Sequence, residues 1–256
     1  MATQTHERLD GHHDDRFIDL ATADDDAAWL ARTRVVLTPM AAPSIMGLMG
    51  FMIATLAVGA WQAGWYGGPT TPQLLWPIAI VAGGLLQVIA AVACLRARDG
   101  LAVAVHAVWG SFWIGWSILQ LLVTTHTASP IPLGATSTAL GFWFIGLTLV
   151  TASAALAAAA NSGLLLVTLA ALATGSAFTA AGFCGAGLGI VRAGGWLFVA
   201  SAGGAWLLAT AMMLENGFGR TIIPLGRWSK EANVPGGRAT RPVGRQAGMP
   251  GVRVGQ

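Results

Sequence analysis

The sequence predicts an all-α integral membrane protein with six transmembrane helices, and three observations support this fold class. Residues 35–214 contain only four formal charges, on Arg96, Arg98, Asp99 and Arg192, in a chain that is 55% apolar. Loop-forming clusters divide this segment into pieces near the length of about 20 residues that a spanning helix needs. Because a charge at the centre of such a helix costs about 2.5–3.5 kcal/mol, charge-free runs indicate a bilayer environment.

Clusters of glycine, proline and polar residues delimit the six predicted helices in order. A Tyr-Gly-Gly-Pro stretch at 66–69 ends the first helix, and the charged run 96–100 separates the second from the third. The Pro-Ile-Pro turn at 130–132 precedes the fourth, and Asn-Ser-Gly at 161–163 predicts a tight hairpin into the fifth. The predicted helices cover residues 44–65, 73–95, 101–125, 133–160, 164–191 and 196–214.

Positive charges gather on one side of this predicted bundle. Arg32 and Arg34 precede the first helix, Arg96 and Arg98 lie between the second and third, and further basic residues follow the sixth. The opposite side has only Arg192. Short cytoplasmic loops are enriched in Lys and Arg, so both termini are predicted to be cytoplasmic. We expect a multi-pass protein of the cell inner (plasma) membrane.

Two tails of opposite charge flank the membrane part, which gives three expected regions. Residues 1–41 form an acidic cytoplasmic N-terminal tail, residues 42–226 the six-helix transmembrane domain, and residues 227–256 a basic, disordered cytoplasmic C-terminal tail. The start of the chain lacks the apolar stretch of a signal peptide. The basic tail is expected to contact anionic membrane lipid. Nucleic-acid binding is not predicted, because no folded motif accompanies these charges.

No enzyme active site, cofactor or metal site is predicted. His12 and His13 beside Asp14 could hold a metal, but a solvated acidic tail is the preferred interpretation. The predicted spans lack Asp and Glu, and no arrangement of nucleophile, His and acid is present in them. Cys94 and Cys184 fall near opposite ends of the predicted bundle, which predicts two free thiols.

The polar residues of the spans leave two interpretations open. His106 is the one titratable group in the predicted core, either functional or a neutral histidine bonded to a backbone carbonyl. Pumps and many coupled transporters use buried acids, so their absence favours an uncoupled pathway. Pro43 at the start of the first helix leaves free N–H groups that favour anions.

Most glycines of the spans are explained by close helix packing, and a minority could line a pore.

Motifs in the membrane part resemble one transporter family. Residues 42–51 read Ala-Pro-Ser-Ile-Met-Gly-Leu-Met-Gly-Phe, residues 83–87 Gly-Gly-Leu-Leu-Gln, residues 109–113 Trp-Gly-Ser-Phe-Trp and residues 218–226 Phe-Gly-Arg-Thr-Ile-Ile-Pro-Leu-Gly. They are similar to motifs of the acetate uptake transporter family, also called the succinate-acetate permease or YaaH-type family. Its members usually have Asn-Pro-Ala-Pro-Leu-Gly-Leu-Met-Gly-Phe at the first motif and Tyr-Gly-Ser-Phe-Trp at the third. The resemblance spans residues 42–226.

The resemblance implies a homohexamer in which each subunit has its own pore for acetate and related small carboxylates. It points to Phe51, Trp109 and Leu172 as a narrow hydrophobic constriction, with Trp109 in place of the common Tyr. An apolar ring of this kind gates by dewetting.

The resemblance also implies that the start of the first helix contacts the substrate, through Pro43, Ser44 and Gly47. Gln87 and Ser111 are further candidates for carboxylate or water contacts, and His106 is added as the titratable group of the core. Hydrogen bonding between helices is the alternative role for Gln87 and Ser111.

Several further positions depart from the family pattern, including Glu215-Asn216, which reverses the common Asn-Glu order. Ala42 replaces the signature Asn and Ile45 replaces the second Pro, while Cys94 and Met212 stand where Glu is frequent. The lost groups are polar and could have shaped ion selectivity or proton coupling, so the substrate is less well defined than the fold.

The predicted function is a membrane channel or facilitator for acetate and related small monocarboxylates, in the anion or the acid form. One alternative is a channel for a small neutral solute such as urea or an amide. Another is a non-transporting membrane sensor or scaffold whose charged tails recruit partners.

Overall fold

The computed structural model describes residues 41–228, and within them six helices are long and apolar enough to cross a membrane. No strand forms in this part; its one isolated β-bridge joins Ser162 and Arg227. The predicted all-helical fold with six candidate spans is confirmed, whereas the predictions for residues 1–40 and 229–256, including His12 and His13, lie outside the described residues. The helices are α1 (Ser44–Ala63), α2 (Pro72–Ala97), α3 (Gly100–Thr124), α4 (Thr138–Ala158), α5 (Gly163–Ala186) and α6 (Leu188–Phe218).

The ends of the last three helices differ from the prediction. The sequence predicts α4 from residue 133, but Ser137 is extended, with φ −146° and ψ 91°, and the helix begins at Thr138. It predicts α5 to residue 191 and α6 from residue 196. Gly185 and Gly187 interrupt the chain earlier, at φ 112° and 86°, a backbone region that favours glycine. Arg192, expected in a loop, therefore lies within α6.

Helix α2 is irregular in its middle. Residues Ala79–Leu85 wind as a π-helix, shortly after Pro77, which lacks a backbone N–H. The Gln87 side-chain amide donates to the Gly83 carbonyl at 2.7 Å. Gly83 also lets α3 approach closely, because a Cβ there would lie 2.5 Å from Cγ of Trp113. The π-helix thus positions Gln87 and the aromatic face of α3, consistent with the frequent use of such turns at functional sites.

Small residues also bring α1 against its neighbours, as expected for helices in lipid. A Cβ on Gly50 would lie 2.3 Å from the carbonyl oxygen of Ala82 in α2, and one on Gly195 would lie 2.4 Å from the backbone nitrogen of Ala63. Other glycines, such as Gly146, have open space at this position. Close packing therefore explains only part of the glycine content.

A buried glutamine joins three helices. The Gln62 amide of α1 donates to the Thr179 hydroxyl of α5 at 2.8 Å and to the Val191 carbonyl of α6 at 2.9 Å. Gln62 is only 5% exposed, so both amide hydrogens are satisfied inside the protein. These bonds fix α1 where it packs on α5 and α6.

The segment after α6 folds back along the bundle. The backbone N–H of Gly163 donates to the Gly226 carbonyl at 2.9 Å, and the Trp228 indole donates to the Ala159 carbonyl. This C-terminal segment (residues 219–228) therefore lies beside the α4–α5 hairpin. We call this end of the bundle, which also carries residues 41–44 and 96–100, the terminal end. The opposite end, with residues 64–71, 125–137 and 182–187, is the far end.

Candidate functional site

Two separate cavities penetrate the bundle from opposite ends. The terminal cavity has a volume of about 580 Å³ and extends from Arg98 and Asn161 to Phe51 and Leu172. The far cavity is smaller, about 80 Å³, and extends from the proline-rich loops of the far end to Trp109. No residue lines both cavities. A solute that crossed the bundle along them would pass the residues at their inner limits.

Apolar side chains separate the two cavities. Phe51 and Leu172 line the terminal cavity and Trp109 lines the far cavity. The rings of Phe51 and Trp109 meet edge to face, with centroids 5.9 Å apart. Trp109 and Leu172 are only 2% and 1% exposed. The three residues that the resemblance assigns to the constriction therefore lie at the border between the cavities.

Trp109 is fixed in its orientation by a hydrogen bond and by neighbouring rings. Its indole N–H donates to the Thr151 hydroxyl of α4 at 3.0 Å, and that hydroxyl donates to the Leu147 carbonyl at 2.6 Å. The rings of Phe112 and Phe198 lie 5.3 and 6.3 Å from it, centroid to centroid. Because the indole N–H has a protein partner, Trp109 contributes mainly an apolar ring to the border.

His106, Gln87 and Gly47 form a cluster beside the terminal cavity. His106 lies in the second turn of α3, 3% exposed, with Nδ1 3.3 Å from the Gln87 side-chain oxygen. If Nδ1 carries the proton of a neutral imidazole, Nε2 remains a free acceptor. Gly47 packs on the imidazole, since a Cβ there would lie 2.5 Å from Cε1 of His106. The partner of His106 is thus a side-chain amide and not a backbone carbonyl.

The other candidate residues are distributed unevenly. Ser44 lines the terminal cavity, and its hydroxyl lies 3.7 Å from the Cys94 sulfur. Pro43 precedes α1 directly and does not line either cavity. Ser111 lies on the exposed side of α3 and donates to the Ala107 carbonyl at 2.7 Å. Helical periodicity turns Ser111 away from the face that carries Trp109, so the structure does not bring it to the cavities.

Formal charges lie only near the ends of the described helices. Arg98, Asp99 and Arg227 line the mouth of the terminal cavity, whereas the far cavity has no Asp, Glu, Lys or Arg among its lining residues. At the far end, Arg192 packs near Gly64, where a Cβ would lie 3.4 Å from Nε of Arg192. Within residues 41–228 no group of three His, Cys, Asp or Glu residues could hold a metal ion.

Sequence reasoning missed several polar residues of the far cavity. Thr55, Gln62 and Trp113 all line it. Thr55 follows Phe51 by four positions and Trp113 follows Trp109 by four, so each lies one turn further along the same helix face. This spacing was a signal that could have found them.

The fold and the paired cavities define the chain as a multi-pass, α-helical membrane protein. Residues 31–225 match the model of the GPR1/FUN34/yaaH family, and the chain belongs to this family. The family resemblance predicted from the motifs is thereby confirmed.

The fold also resembles a solved structure. The bacterial acetate channel SatP matches with a TM-score of 0.67 and 22% sequence identity, over 73% of this chain and 100% of that chain. At this identity the likeness concerns the fold. No curated protein matches the chain.

Proposed function

We propose that the protein is a channel or facilitator for acetate and related small monocarboxylates, conducting the anion or the acid. The observation that carries this proposal is the pair of cavities separated by Phe51, Trp109 and Leu172. Family membership and the likeness to a structure described as an acetate channel support it. An apolar border of this kind hinders a hydrated solute until its side chains move.

The polar groups along the path suit a carboxylate. A simple carboxylic acid has a pKa of about 4–5, close to that of side-chain carboxyls, so it is anionic at neutral pH. Within residues 41–228, carboxylates occur only at the terminal end, on Asp99 and Glu215. Ser44 and Gln87 line the terminal cavity, and Thr55 and other neutral polar groups line the far one. The donors of the far cavity have no acidic residue beside them in its lining, and Arg98 and Arg227 accompany Asp99 at the mouth of the terminal cavity, which favours an anion over a cation.

A channel for a small neutral solute such as urea is the second candidate. The absence of any charged lining residue in the far cavity favours it, because a neutral solute needs no counter-charge there. Flux of the anion moves charge across the membrane, whereas flux of urea does not. The rate of acetate uptake should therefore depend on the membrane potential, and the rate of urea uptake should not.

We also propose that the terminal end faces the cytoplasm of a cell whose inner (plasma) membrane holds the protein. Within residues 41–228, Arg96, Arg98, Arg220 and Arg227 lie at this end and Arg192 lies toward the far end. This distribution agrees with the enrichment of basic residues in cytoplasmic loops.

Assembly into a homohexamer is proposed on the family resemblance. Large apolar side chains cover the outside of the single subunit, with Leu74, Leu156 and Phe142 exposed by 76%, 77% and 67%. Lipid or neighbouring subunits would cover such a surface in the membrane.

The test is uptake of radiolabelled acetate into proteoliposomes of the purified full chain, with the membrane potential clamped. Protein-free liposomes are the control, and unlabelled formate, succinate and urea are the competitors. We expect potential-dependent uptake that small carboxylates inhibit. Free passage of urea without acetate uptake would replace the proposal with the neutral-solute channel, and passage of neither would contradict both.

A further inference from the structure

The imidazole of His106 has one nitrogen that meets no protein group. His106 is 3% exposed and lines the terminal cavity, with Nδ1 3.3 Å from the side-chain oxygen of Gln87. Within residues 41–228, Nε2 has no hydrogen-bond partner, and it is not among the side-chain polar atoms that are both unpartnered and sealed inside the protein. This nitrogen is therefore accessible, and the terminal cavity is the space that it reaches.

The hydrogen bonds of Gln87 decide which imidazole nitrogen carries the hydrogen. The amide nitrogen of Gln87 donates to the Gly83 carbonyl at 2.7 Å, so the oxygen of the same amide faces Nδ1 of His106. An amide oxygen only accepts hydrogen bonds, so Nδ1 is the donor and Nε2 of a neutral imidazole keeps its lone pair. Gln87 is fully buried, at 0% exposure, which holds the amide in this orientation.

No carboxylate contacts the imidazole. Asp99 is the one acidic residue that lines the terminal cavity, and it accepts the Ala102 N–H at the start of α3, about 10 Å along the helix axis from His106. The basic residues of this cavity, Arg98 and Arg227, line its mouth. The ordinary pKa of a histidine side chain is about 6.5, so the imidazole is neutral at mildly alkaline pH and Nε2 is a hydrogen-bond acceptor.

We propose that His106 gives the terminal cavity a binding site for a small neutral amide, whose N–H donates to Nε2. The proposal rests on the proposed function and adds a neutral class of substrate to it, since the amide shares the path of the carboxylate. A carboxylate has no hydrogen to donate, and its oxygens would face the lone pair of Nε2. An undissociated acid is scarce at neutral pH, because its pKa is about 4–5, whereas an amide keeps its N–H throughout.

A hydroxyl on the adjoining helix can bind the carbonyl oxygen of the same amide. Ser44 lines the terminal cavity, and its hydroxyl has one hydrogen-bond contact in the described part of the chain, 3.7 Å to the Cys94 sulfur. Sulfur is a weak partner, so this hydroxyl remains able to donate to a solute. Ser44 precedes Gly47 by one turn of α1, and Gly47 packs on the imidazole of His106. The cavity thus offers both a donor and an acceptor, as an amide does.

The first test compares three variants with the wild-type full chain in proteoliposomes at pH 8. His106→Asn keeps an N–H near the position of Nδ1 but has no atom at that of Nε2, whereas His106→Gln places an amide near the position of Nε2. His126→Asn is the matched control, because His126 lies in a far-end loop and lines neither cavity. The measured quantity is the ratio of kcat/KM for radiolabelled acetamide to kcat/KM for acetate.

This ratio should fall about two- to tenfold in His106→Asn, as for the loss of a neutral hydrogen bond, even though the smaller side chain widens the cavity. It should remain close to the wild-type ratio in His106→Gln and His126→Asn. An unchanged or higher ratio in His106→Asn would overturn the site, as would an equal fall in His126→Asn. A fall confined to His106→Gln would also overturn it, because the bond to Gln87 would then be the important one.

The second test needs no variant. Acetone has nearly the shape of acetamide but carries no N–H, so acetamide should inhibit acetate uptake by the wild type at about two- to tenfold lower concentration than acetone. Equal inhibition by the two would overturn the site. Acetate uptake that acetamide neither inhibits nor accompanies would overturn the site alone. Passage of acetamide without acetate would overturn the proposed function and keep the site, and passage of neither would overturn both.

Discussion

The indole N–H of Trp109 donates to the hydroxyl of Thr151 at 3.0 Å and so ties the border between the two cavities to α4. The resemblance to the acetate uptake family implies a tyrosine at this position in most members. Here the larger ring reaches a partner on the adjacent helix, and Thr151 in turn donates to the Leu147 carbonyl. The border is therefore held by a chain of hydrogen bonds as well as by packing.

This relationship predicts coupling between Trp109 and Thr151. A double-mutant cycle with Trp109→Phe and Thr151→Val measures this coupling. We expect a coupling free energy of about 0.6 kcal/mol, the average for hydrogen bonds between membrane helices, and at most about 1.7 kcal/mol. Unfolding in mixed detergent micelles measures the free energies. Strictly additive effects of the two substitutions would show that the bond does not stabilise the protein.

A smaller side chain at Leu172 should open the border. Leu172→Ala removes bulk where the terminal cavity ends, so we expect acetate flux to rise several-fold, at a stability cost of about 2–5 kcal/mol. Leu75→Ala is the matched control, because Leu75 is also buried but lines neither cavity. Size-exclusion chromatography checks that assembly is unchanged. Wild-type flux in a folded, assembled Leu172→Ala protein would contradict a gating role.

The number and type of the elements followed from the sequence because they depend on local composition. Charge-free runs of about 20 residues define spans whatever their partners are, and the charged run 96–100 marked the α2–α3 loop correctly. The end of α5 and the start of α6 were misplaced because several glycines occur between them. Composition alone does not tell that Gly185 and Gly187 adopt positive φ while Gly189 continues the helix.

The candidate site was predictable only where motifs carried it. The motifs contain Phe51 and Trp109, and the family resemblance added Leu172; Phe51 and Leu172 line the terminal cavity, and Trp109 lines the far one. Thr55 and Trp113 escaped notice because their spacing of four from Phe51 and Trp109 gains its meaning only once the tertiary structure shows that both line the far cavity. Ser111 lies within a motif but points away from both cavities.

Gly47 should be essential for the position of His106. A Cβ at Gly47 would lie 2.5–2.7 Å from three atoms of the imidazole, so Gly47→Ala must displace the ring and weaken its contact with Gln87. We expect a loss of about 1–3 kcal/mol in the free energy of unfolding, as for other overpacked cores. Gly146→Ala, where a Cβ has open space, is the control. Equal free energies of unfolding for the two variants would show that the cluster of His106, Gln87 and Gly47 accommodates the added Cβ without losing stability.

The ion pair between Glu215 and Arg227 should hold the C-terminal segment beside the terminal cavity. Both guanidinium nitrogens donate to the carboxylate, at 2.9 and 3.0 Å, and both residues are only partly exposed. Because such a pair is worth about 1 kcal/mol or less when solvent screens it, Glu215→Gln should accelerate trypsin cleavage after Arg227 by up to about fivefold. Cleavage after Arg98 in the same digest is the internal control and should not change. The wild-type rate should approach that of the variant as salt rises, since screening weakens the pair. An unchanged cleavage rate in Glu215→Gln at low salt would mean that backbone bonds such as Gly163 N–H to Gly226 suffice to hold the segment.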